Sequence, residues 1–461
     1  MSKFTPSQRV SKVEATDDTL TGRGGLVLFC RYLESIGIYQ LLVDSFGGQR
    51  ISSKGVPIWK LFKQVFCFFL DGTSRHLVRF DQLKNDGGYA GAIEETLEEM
   101  ASSHAVKRFF KSFRWIAGRL FREILHRLFI WRLQIEQPSV IELTIDTMVM
   151  DNDEALKRHA VQPTYKKVKG FQPLQIIWNT RVVDAIFRGG KKSGNHAETA
   201  VNMVRNLVEY IRKHYRPDVT IILRTDAGFY DGDNFEAFDA MGIGFIATGK
   251  MYDGVKEQAT GADERYWSQY DNGRQAWGYL EFGYRGDSWK RFWRAFYTRP
   301  LYEGEQRLLD FARPDNVILT NLGVNPEALN HLSRSQRERC LEPENIIASH
   351  HMRGADELPH RGLKDFGFEQ LPFKRFGPNS ALYYCMLIGF FLFETYKQDV
   401  LSEVIPISSY ATTVRRIAVD FAAKIVKTGG RVCLKVPRTI MQALKFDVLW
   451  ERCHNSVPIR S

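Results

Sequence analysis

The stretch Val140 to Asp153, VIELTIDTMVMDND, decides the fold. Val140, Glu142 and Thr144 alternate with Ile141, Leu143 and Ile145, the two-residue period of a strand, and that strand ends on Asp146. Loops after strands are rich in Asp for turn-making reasons, so Asp146 alone says little. A second run changes that. Val219 to Arg224, VTIILR, is an unbroken apolar strand of the kind buried in parallel sheets, and it also runs into an acid, Asp226, in TDAG. Neighbouring strands lie about 4.8 Å apart, so parallel pairing of these two would bring Asp146 and Asp226 near enough to share divalent metal ions.

The 461 residues suffice for two or three domains, and 44% hydrophobic with 13% aromatic residues supports sizeable cores. Lys and Arg outnumber Asp and Glu by 64 to 53, a net +11 with a pI near 9.2, which favours a polyanionic partner. The six cysteines, Cys30, Cys67, Cys340, Cys385, Cys433 and Cys453, form no C-x-x-C pair, so neither a zinc site nor a disulfide framework is expected. A reducing cytoplasmic setting fits. The N-terminal text has no apolar core of a secretion signal. Ser380 to Phe393, the most apolar stretch, is shorter than a bilayer span and runs into Glu394 and Lys397, so it reads as a buried core helix.

Along the chain, residues 1–137 read as an all-α domain. Leu26 to Phe46 and Pro57 to Leu70 carry apolar residues at three and four spacing, with Pro57 suited to a first turn. Ile93 to Met100 reads as a short acidic helix, and His104 to Phe113 as a basic one capped by Ser103, which together outline a helix-turn-helix. On the second helix Val106, Phe109, Phe110 and Phe113 form the buried side, and Lys107, Arg108, Lys111 and Arg114 face outward, where they can meet phosphates or stay solvated. Helical text stops before Pro138.

Residues 138–249 change to strands. After Val140 to Asp146 come Gly170 to Asn179 and Arg181 to Arg188, meeting at a turn near Asn179, then a helix from His196 to Tyr215 crossing to the strand that ends at Asp226. Asp233 to Met241 adds a helix and Gly244 to Thr248 a fifth strand. This order is that of an RNase H-like core, an α/β fold with a mixed sheet and flanking helices, in which the first strand lies centrally beside the fourth. Residues 250–330 are Tyr- and Trp-rich and read as a β-rich insertion, with strand-like pieces Trp277 to Tyr284, Phe292 to Thr298 and Val317 to Asn321. Its Trp267, Trp277, Trp289 and Trp293 alternate with Arg285, Lys290, Arg291 and Arg294, a pattern that serves either an internal core or stacking on unpaired bases. Residues 331–461 return to the core and end in helices, with a strand RVCLKV after Gly429-Gly430.

Glu344 to Asp365, read as one helix, places His350, Arg353, Glu357 and Lys364 on one face. The spacing H-x2-R-x3-E-x6-K is similar to the Tyr-Arg-Glu-Lys signature of DDE transposases from bacterial insertion sequences. The strand end IDT at Asp146, the TDAGF run at Asp226, Gly194-Asn195 and the RGADE run at Arg353 to Glu357 also resemble that family's text, over about Leu20 to Cys453. The resemblance implies that Glu357 is the third metal ligand beside Asp146 and Asp226, that two Mg²⁺ or Mn²⁺ ions are held there, and that Arg353 and Lys364 contact DNA phosphates. It further implies cleavage at terminal inverted repeats, a homodimer bridging two ends, and strand transfer into a target duplex, in a bacterial cytoplasm and at the nucleoid when bound. His350 stands where the family usually has Tyr, and could still donate to a phosphate. Pro359 requires that the helix either starts near Gly354 or bends.

The rival readings are a DNA-binding protein descended from a transposase that no longer cuts, and another RNase H-like nuclease. Asp151-Asn152-Asp153 and Asp231-Gly232-Asp233 lack the rest of a calcium loop, and Gly189 to Gly194 lacks the Lys of a P-loop. Asp151 and Asp153 read as solvated loop charges. A glycosidase with paired carboxylates fits poorly with the basic balance.

Overall fold

The computed structural model describes residues 10, 12–49, 55–114, 117–155, 157–192, 199–303, 306–307, 315–352 and 357–460. After a short strand β1 (Thr19–Thr21) the chain enters α1 (Leu26–Ser35) and α2 (Ile38–Phe46). The apolar period runs through both, but Gly37 at φ 74° separates them. Helix α3 (Ile58–Asp71) follows Pro57 and stops at Gly72, φ 62°. Phe46 meets Phe121 with ring centroids 4.6 Å apart and Phe62 meets Phe109 at 5.0 Å, so aromatic packing ties these helices together.

The helix-turn-helix outline is corrected. Between Ile93 and Met100 there is only the single 3₁₀ turn Leu97–Glu99. Glu94 explains why: at φ 58° it is left-handed and breaks the run, and a new turn starts only after Thr96, whose N–H donates to Glu99 Oε2 at 3.2 Å. The basic helix exists as α4 (Ser103–Ser112), and Val106, Phe109, Phe110 and Phe113 are buried as expected. Its cap is Ser102, whose Oγ accepts from Ala105 N; Ser103 instead donates its N–H and hydroxyl to Asp81. The long helix α5 (Ala117–Glu136) completes this part.

Strands β2 (Val140–Thr147), β6 (Leu174–Trp178), β7 (Arg181–Ile186), β8 (Thr220–Thr225) and β9 (Gly244–Thr248) build the centre of the main sheet. Between β2 and β6 lie β3 (Met150–Asp151), β4 (Gln162–Pro163) and β5 (Lys169–Phe171), a separate small sheet. The expected strand Gly170 to Asn179 is thus divided: Pro173 has no N–H for a ladder, and the chain changes sheets there. Helix α6 (Thr199–His214) crosses between β7 and β8, and α7 (Gly232–Ala240) between β8 and β9. Strand β2 runs parallel to β8 and antiparallel to β6, so the first strand does lie centrally beside the fourth.

The inserted strands β10 (Trp267–Asp271), β11 (Gln275–Tyr284), β12 (Trp293–Glu303), β13 (Gln306–Arg307) and β14 (Asn316–Thr320) extend this same sheet, in the order β10-β11-β12-β14-β9-β8-β2-β6-β7 with β13 beside β12. The joint is β14 on β9, Leu319 opposite Ala247. The insertion's aromatics serve packing. Trp293 is buried edge-on to Phe245 at 5.3 Å, and Trp289 edge-on to Phe235 at 5.5 Å. Three of its cations are ion-paired, Arg294 with Glu281, Lys290 with Glu236 and Arg291 with Asp239, and Arg285 lies over the Phe292 ring at 5.1 Å.

The expected single helix Glu344 to Asp365 is two, α8 (Pro343–His351) and α9 (Glu357–Phe366). Pro359 dictates the break. It has no N–H to give and its ring would clash with the preceding turn, so it is tolerated in the first turn of α9 but not in mid-helix. Helix α10 (Phe376–Tyr396) is the apolar stretch; continued to Leu401 it is long and apolar enough to cross a membrane, yet 89% of its 18-residue apolar window is buried, packed among α3, α4, α5 and β7 as a core helix. The chain closes on itself through a hairpin, β15 (Ala423–Thr428) and β16 (Arg431–Lys435), with β15 pairing to β1, and through α11 (Phe446–His454) against α1. One hydrophobic core runs from Leu26 to Cys453, across the composition changes at 137/138, 249/250 and 330/331. All six cysteines are free thiols.

Candidate active site at the carboxyl edge of the central strands

The apolar pattern of β2 and β8 sets their register. Ile141 lies opposite Ile221, Leu143 opposite Leu223 and Ile145 opposite Thr225, so the next residues, Asp146 near the end of β2 and Asp226 just past β8, take adjacent positions. On the outer side of β2, Asp146 lies opposite Gln175, and beyond β8, Thr225 lies opposite Ala247, so Thr248 follows next to Asp226. Gln175, Asp146, Asp226 and Thr248 therefore make one row along the carboxyl edge.

Backbone N–H groups orient both acids. Asp146 Oδ1 accepts from Thr147 N at 2.6 Å, and Asp226 Oδ1 accepts from Gly228 N at 2.9 Å. Both residues are part-exposed, open to solvent at the edge yet seated on buried strands. Two carboxylates on adjacent rigid strands are an all-oxygen donor set that fits a hard divalent ion better than zinc. Beneath them Arg224 Nε donates to Thr144 Oγ1 at 3.1 Å and its Nη1 to Ser349 O at 3.3 Å, which fixes α8 across the sheet.

The structure brings some of the expected residues to this edge. His350 is in the last turn of α8, buried, its Nε2 2.9 Å from Thr248 Oγ1. Arg353, with Gly194-Asn195, lies outside the described residues. Glu357 opens α9; its side chain lies outside the described residues, but the helix it starts does reach the site. The link is His360, one turn further on, whose Nδ1 stands 3.8 Å from Asp146 Oδ2. Burial, with the charges of Lys364 and Lys166, pushes that imidazole down to about 4, so it is neutral at pH 7 and the contact is not an ion pair. His360 was missed in the sequence reading, although its position three after Glu357 puts it on the same helix face. Lys364 is on that face as well, half-buried and ion-paired with Glu369.

A wide cleft of about 2030 Å³ lies over the small sheet that follows β2, bordered by Asp151 and Asp153. Lys107, Lys111 and Arg114 of the α4 region line it together with Arg75 and with Lys374 and Arg375, just before α10. Arg108 is exposed on α4. At that border Asp151 Oδ1 accepts from Asp153 N.

No curated protein matches the chain. Among solved structures it is similar to a piggyBac transposase in a synaptic complex with hairpin DNA, at 12% identity over 85% of this chain and 78% of that one, with a TM-score of 0.41. The family profile described as transposase DDE domain group 1 matches residues 5–457. With nearly its whole length matched, and with two strand-end aspartates side by side in an RNase H-like sheet, the chain belongs to the DDE-domain transposases of this group.

Proposed function

We propose that this transposase cuts and joins DNA at the terminal inverted repeats of a mobile element, with Asp146, Asp226 and Glu357 holding two Mg²⁺ or Mn²⁺ ions. The observation that carries this reading is the parallel register that sets Asp146 beside Asp226, with the first turn of α9 folded over Asp146. Divalent ions bound there would activate the attacking oxygen and neutralise the charge that builds on the phosphate. The protein's own contribution is placement. The N–H groups of Thr147 and Gly228 aim the two aspartates, and Arg224 locks α8 to the strands beneath them.

The basic cleft, bordered by Asp151 of the strand that follows β2, is where the duplex would lie. Lys107, Lys111 and Arg114, with Arg108 nearby, neutralise backbone phosphates, which positions DNA without reading its bases. Arg353 and Lys364 hold the strand close to the cut, Lys364 leaving Glu369 to do so. His350, bonded to Thr248, steadies the edge next to Asp226. Two copies would pair two element ends before strand transfer to a target duplex.

The test is single alanine substitution at Asp146, Asp226 and Glu357, assayed on end-containing duplex with Mg²⁺. Cleavage should fall by about a thousandfold or more in each case, while gel-shift affinity stays near wild type. A variant that still cuts at the wild-type rate removes that residue from the site.

A further inference from the structure

The reading of Asp146 as a metal-holding carboxylate leaves one neighbour without a role. His360 belongs to no part of the signature that singled out Glu357 and Lys364. Yet it lies between them on α9, three residues after the first and four before the second, so the three share one helix face. Its side chain is only 13% exposed. Among the described residues its Nε2 is buried with no hydrogen-bond partner, and its Nδ1 has Asp146 Oδ2 as its carboxylate neighbour at 3.8 Å. Packing alone does not account for this. A Leu or Phe would fill the same space without burying polar atoms that lack partners.

We propose that His360 is a positioning residue, whose Nδ1–H holds the second oxygen of Asp146 and so fixes the carboxylate plane that receives a divalent ion. The first oxygen is already held by Thr147 N. A small rotation of the ring or carboxylate closes 3.8 Å to hydrogen-bonding distance, and both oxygens are then anchored from the protein side. Hydrogen bonds of this kind to ligating carboxylates raise metal affinity without touching the metal. Helix α9 thereby does two things at once: it brings in Glu357 and orients Asp146. The proposal rests on Asp146 being a ligand, and the test separates the two claims.

The full chain is compared as wild type, Asp146→Ala, His360→Asn, His360→Gln and His360→Phe. Mn²⁺ affinity is read from the electron paramagnetic resonance signal of free Mn²⁺, and duplex affinity without metal from fluorescence anisotropy. An Asn amide can place its N–H where Nδ1 was, whereas a Gln amide reaches toward the Nε2 position. The expected result is a 10- to 100-fold (roughly) weaker Mn²⁺ affinity for His360→Gln and His360→Phe, with His360→Asn within about threefold of wild type. Duplex affinity should stay unchanged in all three, which a general loss of structure would not leave intact. Unchanged Mn²⁺ affinity in His360→Gln, alongside a loss in Asp146→Ala, would overturn the role of His360 alone. Retention by His360→Gln with loss in His360→Asn would overturn the Nδ1 assignment. Equal Mn²⁺ affinity in Asp146→Ala and wild type would overturn the carboxylate reading, and the proposal with it. Should His360→Phe fail to fold, the Asn and Gln pair decides.

Discussion

Asp184, on the inward face of β7, has no solvent exposure and accepts from both Nε and Nη2 of Arg122 at 2.7 Å, with His126 Nε2 at 3.2 Å. Burial by itself would raise its pKa, but the charge and hydrogen bonds of His126 and Arg122 outweigh it and hold the carboxyl below its ordinary 3.8. The folded value is the depressed one. Its stabilisation is therefore complete above the unfolded value near 3.8 and is lost as pH falls through the folded one. Asp184→Ala should destabilise the fold by about 3–5 kcal/mol, measured by urea unfolding at pH 7, because it strands the Arg122 charge. It should also flatten the acid limb of the stability curve below pH 4 (roughly). The adjacent placement of Asp146 and Asp226 was legible at this scale because each lies at the end of a strand whose apolar pattern fixes its register. His360 was not. Its meaning comes from a contact with a residue more than two hundred positions earlier, and no periodicity announces that.

At the scale of elements, periodicity found most helices and strands and misjudged where they stop. Gly37, Pro359 and Pro173 each interrupt a continuous pattern, and each does so through backbone constraints that an apolar repeat does not register. The lost helix before α4 has a different cause. Glu94 turns left-handed at φ 58° and Thr96 opens a separate short turn, a change of backbone that an acidic run does not announce. The basic helix was legible because its two faces differ so sharply, four buried apolar residues against a row of cations. Replacing Lys107 and Lys111 together with alanine should weaken duplex binding and reduce the slope of log affinity against log salt by roughly 1.8, two phosphates' worth. Titrating DNA binding across salt concentrations reads this directly. An unchanged slope would place the duplex elsewhere.

For the whole molecule, the surprise is continuity. The insertion was legible as β-rich from its composition, but not as an extension of the core sheet, since edge pairing between β14 and β9 depends on register that composition does not carry. The two ends of the described chain are equally joined. Thr19–Thr21 pairs with Ala423–Lys424–Ile425, and Gly25 presses so close to Ala418 that a Cβ there would sit 1.7 Å from its carbonyl oxygen. Ile459 N donates to Ile36 O at 2.8 Å, and α11 covers α1. Deleting residues 446–460 should uncover the face of α1 around Leu28, whose carbonyl accepts from Cys453 Sγ, and lower the yield of soluble protein sharply, with a thermal midpoint about 5 °C or more below the intact chain in differential scanning fluorimetry.

That closure has a consequence for how the enzyme is born. Helix α1 leaves the ribosome early but lacks its covering partner until some four hundred residues later, and contacts so distant in sequence form slowly. A chain that stops short of α11 thus carries β2 and β8 inside an unfinished shell. The capacity to break chromosomes would arrive only once α11 has been made and has docked.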